Sequence, residues 1–435
     1  MTEDGSGGFA WFRNTAPYIN AHRGRCFVLA LGGEIAAGGA LGPLIHDIAL
    51  LASLGVRLVL VHGSRPQIDA RLQAAGQKSA FHGGLRITDA AAMAQVRDAA
   101  GALRIDIEAQ LSMGLPNSPM QGADLRIVSG NFVTARPIGV LDGVDHQFTG
   151  RVRSIDRAGI RRALDAGDLV LLSALGYSPT GEVFNLSLED VAVQTAVAIG
   201  AEKLVLFGKD AGIRDADGTI VRQCAVEELG AIAPRDPRQR ALLDTVGRAC
   251  RLGVPRGHVI SYAADAALLE ELFTHDGCGT LVTRRPYEQA RRARIGDVGG
   301  IIELIEPLEA EGILRKRSRD LLEAEIDRFR LVERDGRIIA CAALYPFPEA
   351  GSGELACIVC HPDYRGEKRA QRLLEALEAE ARGLGLACVF VLTTQTAHWF
   401  LEQGFVEGDL AALPASRRDL YNLQRRSKVF FKALS

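Results

Sequence analysis

The stretch with the clearest chemistry is His361-Pro362-Asp363-Tyr364-Arg365-Gly366-Glu367-Lys368-Arg369-Ala370. Arg365, Lys368 and Arg369 bring three cations together, and Gly366 lets the backbone approach whatever they hold. Such a loop suits an anion, above all a pyrophosphate. The elements that must position it are legible on both sides. An apolar run, Leu355-Ala356-Cys357-Ile358-Val359-Cys360, reads as a strand. Beyond the loop Ala370, Leu373, Leu374, Leu377 and Ala381 fall at the i, i+3, i+4, i+7 spacing of an amphipathic helix, which Gly383 and Gly385 stop. A second apolar run, Ala387 to Leu392, follows. A loop entering a helix offers unpaired backbone N–H groups at the positive end of the helix dipole, which favours an anionic ligand. From the loop alone, a solvated basic helix start reads equally well.

The surroundings tip the balance. The loop resembles the acetyl-coenzyme A signature of the Gcn5-related N-acetyltransferases (GNAT), Arg/Gln-x-x-Gly-x-Gly/Ala, with Arg365 first and Ala370 last. One position departs: Lys368 stands where that signature has its first glycine. Phe400-Leu401-Glu402-Gln403-Gly404-Phe405 is similar to the family's Tyr-x-x-x-Gly-Phe, with Phe400 in place of the tyrosine that often protonates the departing thiolate. The resemblance implies that Ile358, Val359, Arg365, Gly366, Glu367, Lys368, Arg369 and Ala370 hold acetyl-CoA, with backbone N–H groups around Ile358 and Val359 polarising the acetyl carbonyl.

Composition sets the frame. The chain has 435 residues, 47% hydrophobic and 24% charged, enough for two or three domains of ordinary globular protein. A formal charge of -2 argues against a general affinity for nucleic acid or membrane surfaces, so an anion site must be local. No cationic region followed by an apolar core opens the chain, and no apolar run approaches the roughly 20 residues that span a bilayer. Eight cysteines are scattered, with only Cys357 and Cys360 at Cys-x-x-Cys spacing inside a strand-like run. Buried thiols of a cytoplasmic protein are the expectation, with no metal site.

Residues 1 to 20 read as an N-terminal helical segment carrying Phe9, Trp11 and Phe12. From Cys26 the pattern is α/β: a strand Cys26 to Leu31, a tight Gly32-Gly33 loop, a helix Leu44 to Leu54 and a strand Arg57 to Val61. It continues through Leu125 to Val128, Leu169 to Ser173 and Lys203 to Phe207, ending near Ser261. Continuous apolar strands alternating with helices imply an open parallel sheet covered on both faces.

Residues 21 to 283 resemble the amino-acid kinase fold, in the Gly32-Gly33 and His62-Gly63 loops, Phe184-Asn185-Leu186, Ala201-Glu202-Lys203-Leu204 and the closing segment Leu268 to Thr280. The phosphoryl-transfer parts are missing. Ala30 replaces the phosphate-clamping lysine, Ser64 and Arg65 interrupt the second glycine loop, Glu189 replaces the catalytic aspartate, and Gly208, Lys209 and Leu242 fill other kinase positions. Phosphoryl transfer is positioning and charge neutralisation, so this domain reads as one that has lost it. Arginine-sensitive kinases of this fold have an aromatic N-terminal helix and an inhibitor site near the domain's end. The resemblance carries an allosteric arginine site onto Tyr18, Lys203, His258, Ser261, Glu271, Gly277 and Gly279. In it Glu271 would take the guanidinium in two hydrogen bonds.

Arginine-rich residues 284 to 294 read as a linker, and residues 295 to 435 as an α+β domain. Strands Phe329 to Glu333 and Ile338 to Tyr345 meet at the hairpin signal Asp335-Gly336. Two basic clusters, Arg315-Lys316-Arg317 and the tail from Pro414 to Lys428, suit a small dicarboxylate amino acid such as L-glutamate, although clusters that solvate the surface or grip phosphate are the plain alternative. Over nearly its whole length the chain resembles the bacterial N-acetylglutamate synthases, which join such a kinase-like domain to a GNAT domain. That resemblance implies acetyl transfer from acetyl-CoA to L-glutamate in arginine biosynthesis, with feedback by L-arginine. It implies Glu354 as general base and Thr393 as orienting a proton-carrying water. Arg317, Cys357, Arg417, Arg426 and Ser427 would bind substrate, and the assembly would be a homo-oligomer, a hexamer. Acetylglutamate kinase and a non-catalytic arginine sensor are the competing readings.

Overall fold

Strands Val28 to Leu31 and Leu58 to Val61 are apolar at every position, so both of their faces must be covered. The computed structural model describes residues 5–114, 120–274, 276–284, 288–334, 337–365, 368–418 and 427–434. The chain divides into two compact units, Met1–Arg285 and Pro286–Ser435.

The first unit opens with helix α1 (Gly5–His22), then β1 (Cys26–Leu31), α2 (Leu41–Ser53), β2 (Arg57–His62), α3 (Arg65–Ala74), α4 (Ala90–Leu111) and β3 (Ile127–Val128). It continues with α5 (Arg157–Asp165), β4 (Leu169–Ser173), α6 (Leu188–Ile199), β5 (Lys203–Gly208), β6 (Gln223–Ala225), α7 (Pro237–Arg251), β7 (Arg256–Ser261), α8 (Ala267–Phe273) and β8 (Thr280–Thr283). The sheet order is β6-β8-β7-β5-β1-β2-β4-β3. From β3 to β7 neighbouring strands are parallel, whereas β8 returns antiparallel to β7. The open parallel sheet is therefore mixed at one edge, because the chain turns back after α8 without a crossover. Alternate side chains feed two cores: Val28, Val59 and Val61 pack under α6 and α7, while Phe27, Leu29, Leu58 and Leu60 pack under α2 and α4. Tyr18 and Ile19 dock α1 on the second core. The side chains of Phe9, Trp11 and Phe12 lie outside the described residues.

The second unit contains β9 (Glu288–Arg292), α9 (Val298–Ala310), α10 (Arg319–Ala324), β10 (Phe329–Arg334), β11 (Arg337–Phe347) and β12 (Ser352–Cys360). Then come α11 (Arg369–Gly383), β13 (Cys388–Thr393), α12 (Ala397–Glu402), β14 (Val406–Gly408), α13 (Ala415–Arg418) and β15 (Lys428–Ala433). The sheet order is β9-β10-β11-β12-β13-β15-β14. Residues 284 to 294 are thus not simply a linker. Glu288–Arg292 pairs with Arg334–Arg330 as an edge strand, and Arg291 is held by Asp297 and Glu333. The charge run that resembled a tether is the paired face of a strand. Leu373, Leu374, Leu377 and Ala381 of α11 are fully buried against one side of the sheet, at about 2 kcal/mol per leucine. Helices α9 and α10 cover part of the other side. The hairpin signal Asp335-Gly336 lies outside the described residues. Among the described residues no helix is long and apolar enough to cross a membrane.

Candidate active site and effector site

The site in the second unit begins where two parallel strands part. β12 and β13 pair only from Ser352↔Cys388 to Leu355↔Val391, although β12 runs on to Cys360 and β13 to Thr393. Beyond Leu355 the backbone polar groups on that side of β12 face an opening and need partners. On its other side β12 bulges. Cys357 and Ile358 together oppose Ala342, and Cys357 takes a φ of +51°. The extra residue flips the alternation: Leu355, Ile358 and Cys360 face the α11 core, while Cys357 and Val359 face α9.

Glu354 sits at the threshold of this opening, directly across from Tyr345 on β11. Its two oxygens are held by Arg417, Oε2 by Nε at 2.5 Å and Oε1 by Nη2 at 2.9 Å. Tyr345 donates its hydroxyl to Glu325 Oε2 at 2.8 Å, and the Arg317 guanidinium lies within its reach. Burial disfavours the charged form of Arg317, but the neighbouring Cys357 and Tyr345 outweigh it and hold the pKa above the ordinary value. Burial pushes the Cys357 thiol up to about 11, against the pull of Arg317. Glu354, Cys357, Arg317 and Arg417, expected to act together, are therefore gathered in one neighbourhood. Tyr345 and Glu325 were missed; their signal is a register across β11 and β12 that no local motif carries.

The coenzyme loop is partly reassigned. Arg365 is exposed at the end of the Pro362–Tyr364 turn and lines a cavity of about 470 Å³ with Leu304, Pro307, Val359 and His361. Lys368 is the N-cap of α11 and takes a φ of +56°. That left-handed backbone explains why the family signature has glycine there. Arg369 is not the third cation of a phosphate cradle. Its guanidinium is buried on Glu288, with Nε 2.8 Å from Oε1, and Nη1 donates to the Tyr364 carbonyl at 2.6 Å. The N–H groups of Arg369 and Ala370 still belong to a first helical turn, which has no intrahelical acceptors for them. Gly366 and Glu367 lie outside the described residues.

Thr393 also differs from expectation. Val389 and Val391 face the α11 core and Phe390 the opposite side, so Thr393 points away from the face that carries Glu354. Its Oγ1 meets Thr396 Oγ1 at 2.9 Å and accepts the Thr396 N–H at 3.1 Å, capping the turn into α12. Ser427 precedes β15, whose Lys428 pairs with Thr393. Arg426 lies outside the described residues. Phe400 is buried against Trp399 and Phe405 and offers no proton.

In the first unit, the expected effector residues gather around β5, β7 and α8. Glu271 Oε1 meets His258 Nδ1 at 2.7 Å, while Oε2 accepts the N–H groups of Cys278 and Gly279 at 2.9 and 2.8 Å. Gly277 has a φ of +61°, and a Cβ there would fall 2.5 Å from Glu271 Oε2. Burial, opposed by the pairing with Glu271, leaves His258 below its ordinary pKa and therefore neutral. Glu271 is held low, the bonds from His258 and the amides outweighing its burial. An ionised Glu271 needs Nδ1 as the donor, so His258 Nε2 is a bare acceptor, buried and without a partner. Glu271 thus seats the loop with most of its acceptor capacity, and His258 Nε2 is a further buried acceptor. Lys203 is buried with its Nζ 5.7 Å from the Phe27 ring centre, and Ser261 Oγ donates to the Lys209 carbonyl. Tyr18 is half-buried on α1, and His22 Nε2 meets the Leu272 carbonyl of α8 at 2.8 Å. At the Gly32-Gly33 loop, a Cβ on Gly32 would fall 2.3 Å from Glu34 Oε1, so a carboxylate folds over it. Among the described residues no three His, Cys, Asp or Glu side chains could hold a metal ion.

Comparison with known proteins agrees with both halves. Residues 25–259 match the amino acid kinase family and residues 300–405 the acetyltransferase (GNAT) family. The chain is 58% identical over 426 residues to an amino-acid acetyltransferase of Azotobacter vinelandii, covering 98% of this chain and 99% of that one. It is 56% identical to an amino-acid acetyltransferase of Pseudomonas aeruginosa PAO1, with the same coverage. Among solved structures, N-acetylglutamate synthase from Neisseria gonorrhoeae complexed with coenzyme A and L-arginine aligns with a TM-score of 0.91 at 39% identity, covering 98% and 99% of the two chains. The same enzyme complexed with coenzyme A and N-acetyl-glutamate aligns at a TM-score of 0.63, with the same identity and coverage.

Proposed function

Because the chain belongs to the amino-acid acetyltransferases, a GNAT unit joined to an amino-acid-kinase-like unit, we propose that its acceptor is L-glutamate and that L-arginine bound to the first unit regulates it. The observation that carries this reading is the parting of β12 from β13 with Glu354 at its threshold. The opening, the first turn of α11 and the exposed Arg365 suit an extended coenzyme that ends in phosphates. When bound, acetyl-CoA supplies an activated acetyl thioester.

Glu354 is the general base. It takes a proton from the glutamate ammonium, the freed nitrogen joins the acetyl carbon, and the carbon–sulfur bond breaks as the nitrogen gives up its second proton to solvent. The thiolate takes its proton from solvent, since Phe400 has none to give. Backbone N–H groups of β12 near Ile358 polarise the carbonyl, and the fixed geometry supplies much of the rate. Arg317 and Arg417, with Arg426 and Ser427, hold the two carboxylates, and Cys357 closes the floor.

In the first unit, Lys203 suits the carboxylate of arginine and His258 Nε2 one guanidinium N–H. The Glu34 carboxylate over Gly32 repels a nucleotide phosphate, which argues against a kinase. The protein works in the cytoplasm as a homo-oligomer, a hexamer, at the start of arginine biosynthesis. The test is thiol release from acetyl-CoA with glutamate, with and without arginine. Release that requires glutamate and falls with arginine is the expected result. ATP-dependent product formation without acetyl-CoA, or an unaltered rate in Glu354→Gln, overturns the reading.

A further inference from the structure

A carboxylate placed to take a proton from an amine is equally placed to take one from water, which turns acetyl transfer into thioester hydrolysis. In this structure Glu354 is open to neither. Arg417 spans both of its oxygens, at 2.5 and 2.9 Å, and the two side chains are only 12% and 18% exposed. The guanidinium comes from α13, a single turn whose Arg417 and Arg418 N–H groups both return to the Pro414 carbonyl. Across the strand pair, the Tyr345 hydroxyl is committed to Glu325.

We propose that Arg417 determines acceptor specificity by shielding the base: it stays on Glu354 until an acceptor carrying its own side-chain carboxylate draws the guanidinium away. The proposal rests on the reading of Glu354 as general base. Removing Arg417 without a substitute strips a partly buried carboxylate of its partner, which is unfavourable. An incoming carboxylate offers the guanidinium the same forked geometry, so one pair is exchanged for another at little net cost. Water and neutral side chains bring no such replacement. Arg317, on the same face beside Cys357, remains for the acceptor's second carboxylate. The base is thus uncovered only when a dicarboxylate is present, and the thioester is protected at other times.

The experiment uses the full-length protein and measures two quantities: thiol release from acetyl-CoA with no acceptor, and kcat/KM for glutamate against glutamine. In the acceptor-free reaction a water proton goes to Glu354, the water oxygen joins the acetyl carbon, the carbon–sulfur bond breaks, and the thiolate is reprotonated to give acetate and free thiol. Arg417→Gln should raise this hydrolysis by about 10-fold while raising the KM for glutamate by about 30-fold, and should largely erase the preference for glutamate over glutamine. Arg417→Lys, which keeps the charge but cannot fork, should show both effects in reduced form, and it serves if the Gln variant folds poorly. Adding Glu354→Gln to Arg417→Gln should abolish the gained hydrolysis. A structural role alone would lower every rate together. Hydrolysis and preference left as in the unaltered protein, or hydrolysis that falls with coenzyme A binding intact, overturns the proposal. If Glu354→Gln alone leaves transfer to glutamate at full rate, it is the base assignment that fails instead.

Discussion

Arg369 lies across the carboxylate of Glu288, with Nε 2.8 and 2.9 Å from its two oxygens, and the two side chains are only 2% and 8% exposed. Arg369 Nη2 also reaches Oε1, and Arg372 adds a further contact to the same carboxylate at 2.7 Å. One edge-strand glutamate therefore pins the first turn of α11, the turn proposed above to meet the coenzyme. Glu288→Gln should cost about 3 kcal/mol of stability and raise the KM for acetyl-CoA more than that for glutamate. Denaturant titration and the two KM values check it; equal effects on both substrates would mean that the pair does not order the loop.

Lys368 holds a left-handed backbone that costs an L-residue about 1 kcal/mol relative to glycine. Lys368→Gly should raise the melting temperature, while Lys368→Val should lower it. If the lysine also contacts phosphate, the glycine variant will bind coenzyme A more weakly despite being more stable, and calorimetry separates the two effects.

The pH behaviour of the first unit should follow His22. Its pKa is lowered to about 4 from 6.5, chiefly by burial and then by Lys203, so the folded unit holds it neutral against the Leu272 carbonyl. A depressed folded pKa contributes stability that is complete above pH 6.5 and lost as the pH falls toward 4. About 2 kcal/mol should be gone by pH 5. Hydrogen exchange along α1 should accelerate over that interval, and His22→Gln should flatten the dependence.

Gly277→Ala places a methyl 2.5 Å from Glu271 Oε2 at a φ of +61°. The collision unseats the carboxylate that fixes His258 and the Cys278–Gly279 turn. Sensitivity to arginine should fall by at least about 10-fold while the rate without arginine is unchanged, since the substitution is confined to the first unit. An inhibition curve at fixed glutamate reads it directly.

Much of this architecture was legible because it is local. The apolar runs from Cys26 and Arg57, the helix stripe Leu373-Leu374-Leu377, and the loop ending in Ala370 each carry their meaning within a dozen residues. What escaped depends on distant partners. Arg369 read as a ligand cation because Glu288 lies 81 residues earlier, in a stretch whose charge resembled a linker. Glu354 and Cys357 were named as candidates, but not the Arg417 clasp 63 residues away or the bulge opposite Ala342. Thr393 was named from the resemblance alone; its side chain caps the turn into α12, a contact made within three residues.

Because Cys357 and Ile358 together oppose the single residue Ala342, this stretch is constrained in its count of residues rather than in their identity. Deleting one residue between Leu355 and Val359 would straighten the strand and turn its last side chains over, burying on α11 what now meets α9. A scanning library should therefore accept many exchanges here and almost no change of length.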